Sequence, residues 1–225
     1  MGSALGDVLG LAAAVAISPL PIIAIIIILG TPSGRLNGLL FTLGWVVGLF
    51  VLGAVMLAIG GSAPGSTPSK PAAWVGGLKL GLGVVLVLLG ARQWHRRPPS
   101  GAEAELPKWM AAIDRFSPAK VLGLGVVLSA ANLKNAPLTI AAGASISATA
   151  LPAGQKIATL ALFVIIASLG LLAPLAVFLF TGERAKATLS GWRSWAARHN
   201  TAIMAVLFGV LGLKLLGDGI GILVP

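Results

Sequence analysis

The sequence predicts an all-α integral membrane protein of six transmembrane helices, arranged as two inverted three-helix repeats with helices 1 and 4 broken. Three observations carry that expectation. The 225-residue chain is 57% hydrophobic and only 10% charged, with a mean hydropathy of +0.98, whereas soluble domains are about one quarter charged. Apolar stretches of the length a bilayer core requires, about 20 residues in helical form, recur along the whole chain. Two of those stretches, in opposite halves, share a short match that contains a lysine.

The spans fall near 4–29, 36–60, 72–94, 120–145, 154–180 and 200–224. The first has no basic residue before Arg35, and its apolar run is too long for the core of a signal peptide. It reads as a helix that stays in the membrane. Turn-forming stretches separate the spans: TPSGR (31–35), GGSAPGSTPSKPA (60–72), the polar linker 95–119, SATALPAG (147–154) and the segment 181–200.

Basic residues set the orientation. Arg35 lies in the first connection, Arg92, Arg96, Arg97, Lys108, Arg115 and Lys120 in or beside the third, and Arg184, Lys186, Arg193 and Arg198 in the fifth. The second and fourth connections carry only Lys70 and Lys156. The positive-inside rule then puts the basic loops in the cytoplasm and both termini outside the cytoplasmic membrane. The same distribution accounts for the net charge of +10, so nucleic acid is not an expected partner.

The match between halves is VGGLKLGLG (75–83) against VLGLKLLGDG (210–219), which places Lys79 and Lys214 at corresponding positions. With three spans per half, the second copy lies inverted in the membrane. The expected division is therefore a first repeat over 1–94, a cytoplasmic linker over 95–119 and a second repeat over 120–225. Two cytoplasmic segments read as interfacial: LPKWMAAIDRF (106–116), with an apolar face of Leu106, Trp109, Met110, Ile113 and Phe116, and the Trp192/Trp195 stretch. Trp74 and Trp94 bracket the third span as an aromatic belt.

The first spans of the two halves are both interrupted, by ISPLPII (17–23) and by NLKNAPLT (132–139). Proline lacks an N–H and clashes with the preceding turn, so Pro19, Pro21 and Pro137 are expected to free carbonyls near mid-span. Such backbone is tolerated at membrane depth only inside protein or along a water-filled cavity. Asn132 and Asn135 offer amides to the opened turn, and the resumed helix presents a positive end suited to an anion. Lys134 costs about 2.5–3.5 kcal/mol at the bilayer centre and cannot reach an interface from there. Corresponding broken helices are the best sequence pointer to a transporter's midplane site.

Other intramembrane charges are few. Lys214 and Asp218, four apart, can pair on one helical face as a structural or a coupling pair. Lys79 has no acid in its own span and reads either as snorkelling toward the outer surface or as part of the site. Asp7 reads as part of a solvated terminus. Gly77 with Gly81 and Gly217 with Gly221 are the small-residue pairs expected to let helices pack closely. An excess of lysine over acid at mid-membrane favours an anionic or zwitterionic substrate.

Several classes are excluded. Without cysteine there are no disulfides, thiolate metal sites or thiol relays. His95 and His199 lie outside the spans, so a metal-cation site lacks ligands, and no metal is expected. No phosphate-binding Gly-x4-Gly-Lys-Ser/Thr motif is present, so no nucleotide or other cofactor is expected. No nucleophile and base can be assembled within the spans, which argues against an enzyme.

Six spans, a break written SPLPII in the first and a break written NLKNAPL in the fourth resemble the lysine-exporter superfamily. Within it the chain is most similar to the actinobacterial glycopeptidolipid- and sulfolipid-addressing proteins, the GAP family, over nearly its whole length. The resemblance implies a transporter or transport accessory for lipids or glycolipids, with Ser18, Pro19, Pro21, Asn132, Lys134, Asn135 and Pro137 lining the site. Leu133 stands where the family pattern has proline, which implies a milder break that leans on Pro137. Expected partners are membrane lipids, an anionic lipid or glycolipid substrate, and a second copy of the chain or glycolipid-synthesis enzymes. Two other functions fit the same features: export of a small polar solute such as an amino acid, and a membrane scaffold that recruits glycolipid-synthesis enzymes without transporting.

Overall fold

In the computed structural model, residues 2–61, 73–95 and 108–224 are described, and every regular element among them is helical. The order is α1 (Gly2–Ala16), α2 (Pro19–Leu29), α3 (Gly34–Gly61), α4 (Ala73–His95), a 3-10 turn (Lys108–Arg115), α5 (Pro118–Ala130), α6 (Asn135–Ser147), α7 (Ala153–Thr181), a short 3-10 turn and α8 (Ala185–Leu223). Three stretches are long and apolar enough to cross a membrane: Gly34–Gly60, Ala73–His95 and Ala153–Leu223. The bent pairs α1/α2 and α5/α6 raise the number to five if each pair is one span. Lys70, Arg96, Arg97 and Leu106, with most of the expected linker, lie outside the described residues.

The last stretch differs from expectation. The segment 181–200 was expected as a connection, but α8 begins at Ala185 and runs unbroken to Leu223. Gly182, at φ +58, is the one residue with positive φ among those described. It ends α7 in a backbone conformation that a side chain would strain. Within 106–116, the Lys108–Arg115 turn packs on α2 and buries Met110 and Ile113, two residues of the expected apolar face.

Helix contacts come in matched pairs. α1 packs on α7 as α5 packs on α3; α2 touches α7 as α6 touches α3; α2 touches α8 as α6 touches α4. Close approach rests on glycines that replace bulk with backbone contact. A Cβ on Gly125 would collide with the Phe41 carbonyl of α3, and one on Gly170 of α7 with the Ala16 carbonyl at the end of α1.

The α4–α8 pair runs antiparallel on such glycines. A Cβ on Gly83 would sit 2.9 Å from the Gly212 carbonyl oxygen, and one on Gly212 would sit 3.0 Å from that of Gly83. Gly219 likewise lies against Gly76, and Gly90 against Gly209. The expected pairs Gly77/Gly81 and Gly217/Gly221 are not the packing stripe, because all four face open space. Helical geometry explains the shift: Gly76, Gly83 and Gly90 recur every seven residues along one face, which positions 77 and 81 do not share.

Candidate functional site

Two prolines and a serine open the first bent pair. Pro19 and Pro21 have no N–H, so the carbonyls of Val15 and Ile17, four residues earlier, lose their helical donors. The chain leaves α1 at Ala16, passes through an extended Ser18 (φ −102°, ψ 104°) and starts α2 on Pro19. The two axes differ by 48°. Pre-set φ and a missing N–H cost nothing at a helix start, which is why the prolines sit there.

The second bent pair turns by 63° between Ala130 and Asn135. Asn132 holds the turn: its side-chain oxygen accepts from the Lys134 backbone N–H at 2.9 Å, and its carbonyl accepts from that of Ala136 at 3.0 Å. Pro137 does not make the break. It lies within the first turn of α6, where a missing N–H goes unnoticed. The interruption comes before it, in the turn that leaves Leu133 exposed. An Asx-type turn at Asn132 supplies what the proline was expected to supply.

The two breaks meet through Lys134. Its Nζ donates to the Ile17 carbonyl at 2.8 Å and to Ser18 Oγ at 2.9 Å. The Ser18 hydroxyl donates to Asn135 Oδ1 at 2.8 Å, and Asn135 Nδ2 donates to the Leu128 carbonyl at 3.0 Å, near the end of α5. Thr139 donates to the Asn135 carbonyl at 2.9 Å. Ser18, Lys134 and Asn135 are 2%, 1% and 0% exposed, so this chain of polar contacts is closed off.

The electrostatics are one-sided. The Ile17 carbonyl stands at the negative end of α1, which suits a cation. Among the described residues, however, no carboxylate pairs with Lys134; the ion pairs lie elsewhere. Among the described residues only neutral oxygens hold the ammonium, through two hydrogen bonds for its three donors. A buried charge without a counter-ion is costly, and an anion at this point would relieve that cost.

Ser18, Lys134 and Asn135 are thus brought together, with Pro19 and Pro21 buried beside them. Asn132 supports the turn from a half-buried position, and Pro137 is not among the groups hydrogen-bonded to Lys134. Lys79 and Lys214 do not join this cluster. They form a second one with two aspartates, about 15 Å along α1 from Ile17 by helical rise.

In that second cluster Lys214 reaches Asp7 at 2.6 Å and Asp218 at 2.9 Å, while Lys79 reaches Asp218 at 3.4 Å and Asp7 at 3.9 Å. Lys79 is 5% exposed and does not snorkel. It lacks an acid in its own helix but finds two from α1 and α8. Asp7 is likewise not a solvated terminus but the link that ties α1 to the α4–α8 pair. The signal was present in the sequence: a lone carboxylate in an uncharged helix calls for a buried partner.

The model of the family described as Sap, sulfolipid-1-addressing protein, matches residues 8–221. The matched region takes in both helix breaks together with Lys79, Lys214 and Asp218. No curated protein and no solved structure matched the chain. The expected kinship with sulfolipid-addressing proteins is borne out at the level of the family. By a match over nearly its entire length, the chain belongs to the Sap, sulfolipid-1-addressing protein family.

Proposed function

We propose that this family member moves an anionic lipid, glycolipid or lipid-linked glycan across the cytoplasmic membrane, through six spans built as two inverted halves. Six spans follow when each bent pair is one crossing and the last apolar stretch is divided at Gly182. The matched helix contacts support the inversion, and the basic connections support termini outside.

One observation carries the substrate class: the Lys134 ammonium, buried where both breaks meet and held, among the described residues, only by neutral oxygens. An anionic headgroup reaching this point replaces the Ile17 carbonyl and Ser18 as the partner of Lys134. Ser18 and the Asn135 amide then turn from bonding each other to bonding the headgroup. Those same contacts fasten the first break to the second, so substrate binding loosens one half from the other. That exchange is how occupancy would be linked to alternating access. Coupling to an ion gradient, a partner or the substrate's own gradient drives the cycle.

The test is flux of a fluorescent sulfated glycolipid between leaflets of proteoliposomes. Lys134→Gln is expected to lower the protein-dependent rate at least tenfold. Unchanged flux in that variant sinks the reading.

A second reading is favoured by one feature: the enclosure of Ser18, Lys134 and Asn135 by protein, which suits a small polar solute. Efflux of a labelled amino acid from the same vesicles, abolished by Lys134→Gln in the absence of lipid flux, would select it. A scaffold for glycolipid synthesis would move neither.

A further inference from the structure

At the opposite end of the bundle from the Asp7 cluster, a cavity of about 490 Å³ opens between the end of α2, the end of α7 and the start of α8. That volume lies in the ~300–1,000 Å³ range of ligand sites. Lys186, Ser190 and Arg193 line one wall. With Leu189 they occupy positions i, i+3, i+4 and i+7 of α8, a single helical face. Leu189 is 3% exposed and pins that face to the bundle. Facing it are Ile26, Ile27 and Leu29 of α2 and Phe178 of α7.

The charges in this wall are available. Arg193 and Ser190 are exposed and make no hydrogen bond or ion pair to the rest of the described protein, and Lys186 has only the solvent-exposed Glu183 as partner. The surroundings point to lipid rather than water alone. Phe180, near the end of α7, is 89% exposed, and Trp192 and Trp195 are 40% and 55% exposed near the start of α8. Exposed aromatics beside basic residues mark the headgroup level of a membrane. Arg adds a planar fork that matches the oxygens of a phosphate or sulfate ester bidentately.

We propose that this cavity is the loading site for the acidic oxyanion head of a membrane lipid, a phosphate or sulfate ester held by Arg193 and Lys186 with Ser190 as a donor. The acyl chains would leave past Phe178. The inference rests on the transport reading above and adds to it an entry point on the basic face. Ile26 lies two helical turns beyond Ser18 on α2, about 12 Å along the axis. α2 therefore forms a common wall from the loading site to Lys134.

The experiment is native mass spectrometry of the full chain in detergent, titrated with dioleoyl phosphatidylglycerol and separately with dioleoyl phosphatidylcholine. The wild type is expected to retain the anionic lipid preferentially. Lys186→Gln with Arg193→Gln should weaken that retention about tenfold, and Arg198→Gln, a neutralisation outside the cavity, should not. Equal weakening by Arg198→Gln would reduce the effect to surface charge and overturn the assignment. Undiminished retention in the double variant, with loss in Lys134→Gln, would overturn this site and leave the transport reading standing. Loss in neither overturns both. Millimolar inorganic phosphate or sulfate that displaces the lipid would assign the cavity to free anions and overturn the lipid source. Circular dichroism and size-exclusion profiles matching the wild type would show that the exposed substitutions leave the fold intact.

Discussion

The ammonium of Lys134 donates to the carbonyl of Ile17 at 2.8 Å, and that carbonyl is free because the chain leaves helical geometry at the extended Ser18 before α2 begins. One residue at the α5/α6 break thus completes the hydrogen bonding of the α1/α2 break. The pair makes the two helix breaks interdependent, and it separates a structural role of Lys134 from a functional one.

Lys134→Met orphans the Ile17 carbonyl and is expected to cost about 1–3 kcal/mol, read by thermal unfolding in detergent. An unchanged unfolding temperature would refute the relationship. Loss of transport beyond the fraction of protein unfolded would assign the lysine to the substrate.

Ser18 joins the two breaks through a hydroxyl that accepts from Lys134 and donates to Asn135. Ser18→Ala and Asn135→Ala should each destabilise by about 1–2 kcal/mol. Their double variant should cost less than the sum, since each leaves the other's partner already unsatisfied. Additive losses would show that the two side chains act separately.

Two lysines and two aspartates balance in the second cluster. Asp218→Asn leaves Lys79 and Lys214 sharing Asp7, and it should lower the unfolding temperature clearly. Asp218→Asn with Lys79→Met restores the balance, because a broken buried pair costs more than an absent one. The double variant is expected to be more stable than Asp218→Asn. A double variant less stable than either single would exclude charge balance as the cause.

Glycines of α4 and α8 divide into two sets. Gly83→Leu and Gly212→Leu place bulk where backbone atoms lie at 2.9–3.0 Å and should cost more than about 2 kcal/mol through overpacking. Gly77→Leu and Gly81→Leu meet nothing within 4 Å and should be tolerated. Fluorescence-detected size exclusion of the four variants distinguishes the sets. Equal behaviour would mean the helices do not pack on the Gly83–Gly212 face.

The sequence by itself determined that the protein is a membrane protein built of apolar stretches, and that two of them break. Those features are local: hydropathy needs only a window of residues, and Pro19, Pro21 and Asn132 act on carbonyls and amides within a few positions. Lys134, Ser18 and Asn135 were legible as polar groups in need of partners for the same reason, since a polar group in an apolar run must find one.

Which partner each one finds was decided only in three dimensions. Ser18 and Asn135 stand 117 residues apart, and Asp7 and Lys214 stand 207 apart. No periodicity links such positions, and in a helix the burial of any one face is set by what packs against it. Thus Asp7 became a partner of Lys214, Gly83 rather than Gly81 became a contact, and Pro137 fell inside a helix it was expected to break. In an apolar bundle, nearly any face can be buried; the few polar groups take the arrangement that satisfies them, and only the packed helices reveal it.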